Sequence, residues 1–351
     1  MFRRSGRKGN YAYAVARVKA KKAKLLTEED YDKLLQMAVP EISRYISEIG
    51  YQKEMVDYAG KYSGLDLLEH ALNANLARVL HGVLSSTEGE LNTMVSAYLE
   101  KWDFWNLKMI LRGKSYGLSA DEIRDHLIIA GSLSAESLDK LLALDLGDDL
   151  MLAFAKMSGI SSQDVLASYK DVDNKIGSIE DFLDKYYYYR LLASVDPSNT
   201  PGKMFRDYIR REIDAKNLET ILKLKAEGIY GEPVMKYIIP GGKEVDLKLA
   251  TQLANAETIP SISSDVQQLE FYEFLKPLVE NEGVLIRDVV REMQKYEIAQ
   301  AKKFAHMYPL SVVPVVDFVI HKEFEVSNIR TVARGLESGL DKDKIKELLV
   351  I

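Results

Sequence analysis

One phrase recurs in this chain at a fixed interval. It reads Asp103-Phe-Trp-Asn106-Leu-Lys-Met-Ile-Leu-Arg-Gly113, returns from Asp214 through Asn217, and returns again as Glu325-Val-Ser-Asn328-Ile-Arg-Thr-Val-Ala-Arg-Gly335. Successive asparagines stand 111 residues apart, and Gly117, Gly228 and Gly339 keep the same register, as do Leu118, Ile229 and Leu340 after them. So do Trp102, Ile213 and Phe324, then Leu107, Leu218 and Ile329, then Ile110, Ile221 and Val332. Apolar positions three and four apart make one face of a helix. The glycine eleven residues beyond each asparagine is placed to cap that helix, because glycine enters the left-handed region without a Cβ penalty.

The register predicts three similar helical units. It continues downstream, where Ile128, Gly131, Leu138 and Leu142 answer to Ile239, Gly242, Leu249 and Leu253, and the chain ends at Ile351 where a third junction would begin. Counting back from there divides the chain into an arm, 1–17, and units 18–128, 129–239 and 240–351. The joint at Ile-Ile-Pro240-Gly-Gly is a natural helix stop. Solenoid repeats usually run roughly 20 to 50 residues, so a unit of this length is better read as a small domain.

An apolar fraction of 47% can supply each unit with a core. Helix starts are expected at Thr27-Glu-Glu-Asp30, Ser119-Ala-Asp-Glu122, Ser161-Ser-Gln-Asp164 and Ser178-Ile-Glu-Asp181, where a hydroxyl precedes an acid by three positions. Pro277 and Pro314 are expected to interrupt or kink helices. No sustained alternation bounded by hairpin turns occurs, so the fold class expected is all-α. The strongest apolar run, residues 311–320, contains Pro314 and Asp317 and is too short to span a bilayer. Cysteine is absent and no apolar signal core follows the basic start, so a soluble or peripheral protein of the cytoplasm is expected.

The candidates for chemistry are weak. Arg112-Gly113-Lys114-Ser115 ends like a phosphate loop, yet Lys108 stands where its first glycine belongs and the segment reads as helix. Pro240-Gly-Gly-Lys243 is read as a break between units. The five histidines, at 70, 81, 126, 306 and 321, include no pair four apart on one helical face. Acid clusters such as Glu28-Glu29-Asp30 suit the first turn of a helix. No active site, cofactor, metal or small-molecule substrate is expected.

Two features point to partners. Up to Thr27 the chain carries nine Lys or Arg and no acid, whereas the rest carries 38 basic and 53 acidic side chains. Arg3, Arg4, Arg7 and Lys8, interleaved with Phe2, Tyr11 and Tyr13, are candidate contacts to an anionic surface. Nucleic acid is the alternative occupant, opposed by the acidic remainder; anionic headgroups are another. Tyr186, Tyr187, Tyr188 and Tyr189 point around most of a helix and cannot all enter one core, which makes them interface candidates.

The segment Tyr11-Ala-Tyr13-Ala-Val-Ala16-Arg17-Val18-Lys-Ala20, followed by Leu25-Leu26, resembles the opening of the C subunit of archaeal and bacterial A-type/V-type rotary ATPases, the relative of the d subunit of eukaryotic V-type ATPases. Lys19, Lys21 and Lys22 stand where openings in that family are richer in arginine. The likeness extends through the three copies. It implies a non-catalytic adapter of three similar helical bundles in a pseudo-threefold, funnel-like arrangement. One end would sit on the cytoplasmic face of the membrane proteolipid ring, and the other would receive the D and F subunits of the central stalk.

Overall fold

The computed structural model describes residues 8–170, 173–281 and 283–351, and among them the chain is all-α, with no strand. Three of the four expected starts are N-caps. Thr27 accepts from the Asp30 N–H while its own N–H donates to Asp30 Oδ2 at 3.0 Å. Ser119 and Glu122 make the same reciprocal box, and Ser161 accepts from the Asp164 N–H. Each box satisfies amides that the first helical turn leaves without acceptors. The Asp30 carboxyl is held well below the usual carboxylate range, first by the Thr27 N–H and then by the Tyr45 hydroxyl.

The structure corrects the readings of Ser178 and Pro314. Ser178 lies inside the helix Lys175–Ser194, whose start is served by Asn174, accepting from the Gly177 N–H at 3.0 Å. The amide oxygen sits three residues ahead of its donor, so the turn is closed before Ser178 is reached. Pro314 is the second residue of the helix Val313–Glu337, where the missing N–H would have had no intrahelical acceptor. Pro277 stands inside the helix Tyr272–Val279.

Two compact units divide the chain. The first comprises residues 1–187, 321–349 and 351; the second comprises 188–320 and Val350. In the first unit, the helix Gly64–Leu84 buries Leu68, Leu72, Leu76 and Leu80, a four-residue spacing that lays one stripe inward. The helix Lys101–Ser115 buries Phe104, Leu107, Ile110 and Leu111, and the stretch 321–349 adds Val326, Ile329, Val332 and Ala333. Residues 11–17, grouped with the arm in the sequence, are the first turns of the helix Tyr11–Lys22, which buries Ala14, Val15 and Val18. Asn10 anchors its start, donating to the Ser86 carbonyl and accepting from the Glu88 N–H, both at 2.9 Å.

In the second unit the 27-residue helix Thr200–Ala226 lies along the helix Ile286–Met307. Asn199 caps the first of these by accepting from the Gly202 N–H at 2.7 Å. Tyr208 meets Phe304 edge-on at 5.8 Å, and farther along Leu218, Ile221 and Leu222 close on Val234, Leu253, Leu275 and Met293. Each such apolar side chain contributes about 1.5–3 kcal/mol on full burial, so these stripes supply the folding drive of the unit.

Candidate functional site

The repeated asparagines are buried, and the first two serve backbone. The Asn106 side chain donates to the Ile128 carbonyl at 2.8 Å and accepts from the Ile128 N–H at 2.9 Å. Asn217 does both to Ile239, each at 2.8 Å. The reach is 22 residues in either case, so one side chain pins the chain where it returns to its helix. Asn328, on the helix Val313–Glu337, is 4% exposed.

The glycines end helices in one common way. Gly117, Gly228 and Gly339 have φ of +75°, +75° and +71°, in the left-handed region. The following N–H in each case reaches back to close the helix end, Leu118 to Gly113, Ile229 to Leu224 and Leu340 to Gly335, at 2.8–2.9 Å. That is the Schellman closure, which satisfies carbonyls the helix end leaves open.

Sequence reasoning missed the acids three residues before each asparagine, although their place in the repeated phrase was the available signal. Asp103 accepts the Ser132 and Leu133 N–H groups and the Ser132 hydroxyl at 2.7–3.0 Å. Asp214 accepts three consecutive amides, Lys243, Glu244 and Val245, at 2.9–3.0 Å. Burial pushes the Asp214 carboxyl up while those amides pull it down, and burial wins. Glu325 instead accepts the Leu26 N–H at 2.8 Å and the Tyr51 hydroxyl at 2.7 Å, with the buried Lys322 ammonium between Glu325 and Tyr51. Burial lowers the Lys322 pKa in spite of Glu325.

The four tyrosines have separate fates. Tyr187 is buried and donates to the Tyr98 carbonyl at 3.0 Å; Tyr188 is buried and donates to Glu212 at 2.8 Å. Tyr186 is half-buried beside Phe182, and Tyr189 is 69% exposed. Among the arm candidates Lys8 is exposed, while Arg3, Arg4 and Arg7 lie outside the described residues. Within the helix Tyr11–Lys22, Arg17 donates to the Tyr13 hydroxyl at 3.0 Å.

The chemical fragments have structural employment. Arg112-Gly113-Lys114-Ser115 is the last turn of a helix, with Arg112 paired to Glu180 and Lys114 donating to the Leu142 carbonyl at 2.8 Å. His70 packs against the Tyr62 ring at 3.8 Å, and burial lowers its pKa. In the second unit a cavity of about 70 Å³ is lined by Tyr208, Glu212, Lys216, Glu219, Glu297 and Gln300. Glu219 holds the Lys216 ammonium above its usual value there. Its volume is far below the roughly 300–1,000 Å³ of small-molecule sites. Among the described residues, no group of three or more acids and histidines is placed to hold a metal ion. No helix among them is long and apolar enough to cross a membrane.

Residues 14–348 match the model of the ATP synthase (C/AC39) subunit family. The C subunit of the A-type ATP synthase of Methanococcoides burtonii is 37% identical, over 99% of this chain and 96% of the relative. That of Archaeoglobus fulgidus is 36% identical over 99% and 98%, and that of Haloferax volcanii 33% over 97% and 98%. The resemblance noted at Tyr11–Ala20 therefore extends along nearly the whole chain, and the chain belongs to the ATP synthase (C/AC39) subunit family.

Proposed function

We propose that this chain is the non-catalytic adapter of an A-type rotary ATP synthase, joining the D and F subunits of the central stalk to the proteolipid ring on the cytoplasmic side of the membrane. The observation that carries the reading is the family match over residues 14–348, together with relatives that are C subunits of A-type ATP synthases. The triplicated register supports it: three similar bundles in a pseudo-threefold funnel would suit a part that turns as a body.

The physical task is to transmit load without yielding. Each charge crossing the membrane delivers roughly 2.3 kcal/mol per 100 mV, so about four charges load the joint with about 9 kcal/mol. Close-packed helices deform little, and the buried carboxylate and amide locks resist sliding of the returning chain over its helix. Proteolipid loops facing the cytoplasm are rich in Lys and Arg, which the acidic body complements; the arm and exposed Tyr189 are further candidate contacts.

The test is mass spectrometry of the native complex captured by a tag on this chain from detergent-solubilised membranes. One copy per complex, with ATPase subunits, is expected. Recovery of the chain alone, or with nucleic acid in a salt-sensitive manner, would refute the reading.

A further inference from the structure

In the first two copies the acid of the repeated phrase takes the amide that immediately precedes a helix cap. Asp103 binds Leu133 N–H, and Ser134 then caps the helix Ala135–Leu142. Asp214 binds Val245 N–H, and Asp246 then caps the helix Leu247–Asn255. For Glu325 the donor is not a residue that follows it in the chain. Its donor is Leu26 N–H, and the next residue, Thr27, caps the helix Glu28–Leu34. The start of the first copy occupies the place of the third copy's continuation. The side chain reaching it is glutamate, one methylene longer than its two counterparts.

The helix surfaces repeat the relation. Lys108 and Arg112 pair with Asp184 and Glu180. Positions 222 residues on, Arg330 and Arg334, pair with Asn73 and Glu69, which stand 111 residues before Asp184 and Glu180. Lys101–Glu323, Lys342–Gln36 and Lys346–Asp32 add further contacts.

We propose that residues 26–34 complete the third copy, and that the seam they help hold, between residues 26–101 and 322–346, is a latch at which the folded chain opens reversibly. Leu26 and Glu325 are 299 residues apart in the chain, so no short connection holds this contact shut. Most of the seam's ion pairs are partly exposed, as Arg334 and Lys346 are, and such pairs are weak and screened by salt. Its buried polar anchor is the cluster of Leu26 N–H, Glu325, Tyr51 and Lys322, and the apolar side chains Tyr31, Leu34, Ile329 and Val332 are buried on its two sides. The latch rests on the repeat register together with these contacts, and it stands whether or not the adapter reading does.

Hydrogen–deuterium exchange of the full chain tests it. Peptides covering 25–34 and 321–349 should exchange together, ahead of 103–115, and faster as NaCl is raised. Leu26→Pro removes the donor and should speed both about tenfold, the scale of one hydrogen bond to a charged acceptor. The absence of native cysteine permits an independent arm, Asp32→Cys with Lys346→Cys joined by a short bis-maleimide, which should suppress the joint opening. Exchange of 321–349 as slow as 103–115, indifference to salt, or acceleration spread over the whole chain would overturn the proposal; so would a tether without effect.

Discussion

The Asp214 carboxylate occupies the space that a side chain on Gly242 would need. A β-carbon at Gly242 would fall far inside van der Waals contact with Asp214 Oδ1 and 2.8 Å from the Val245 carbonyl oxygen. Gly131 stands in the same relation to Asp103, 111 residues earlier. Close approach of backbone to the carboxylate is what lets consecutive amides converge on it. Gly242→Ala should therefore cost about 1–3 kcal/mol in chemical denaturation. Gly60→Ala, where a β-carbon meets nothing within 4 Å, should move the midpoint little.

The asparagine lock predicts a different signature. Asn217→Ala leaves both the N–H and the carbonyl of Ile239 buried without their partner, a loss of about 2–4 kcal/mol. Asn217→Asp keeps an acceptor for the N–H but sets a carboxylate against the carbonyl, so the neutral acid is favoured in the fold. Its stability should be highest at low pH and fall as pH rises through the raised carboxyl pKa. Denaturation midpoints of the two variants from about pH 4 to 8 would separate these cases.

At the helix ends, a β-carbon at Gly117 or Gly339 meets no neighbour but must adopt positive φ. Alanine at either should cost about 1–2 kcal/mol, by strain alone. Asparagine, which tolerates the left-handed region better, should cost less at both. Thermal unfolding of the four variants checks the order.

Asp181 supplies a prediction in pH. Burial raises its carboxyl to about 6, outweighing the attraction of Lys185. An acid whose folded pKa is raised gives most stability below its unfolded value, near 3.9, and loses it as pH climbs toward about 6. Asp181→Asn should thus leave stability unchanged near pH 4 and raise it above about pH 6. A variant less stable than the parent at about pH 7.5 would contradict this.

Much of the architecture was legible from residue order. The asparagines and glycines fall in register, and a register is visible without coordinates because the same backbone problem, a helix to end at all three glycines and a returning chain to hold at Asn106 and Asn217, was solved with the same residue types. The caps at Thr27, Ser119 and Ser161 were legible because their partners lie three residues away. Ser178 misled because Asn174 offered an equally local solution one turn earlier.

What tertiary structure alone decided are relations between residues far apart in the chain. Nothing local distinguishes Tyr187, which is buried, from Tyr189, which is 69% exposed; the faces against which the helix Lys175–Ser194 packs make the difference. The acids at 103, 214 and 325 were in plain view within the repeated phrase, yet a carboxylate carries no mark of which amides it will bind. For Glu325 the partner, Leu26, comes from the opposite end of the sequence. Residue order sets local geometry through dihedral preference and apolar spacing, whereas long-range hydrogen bonds depend on which surfaces packing brings together.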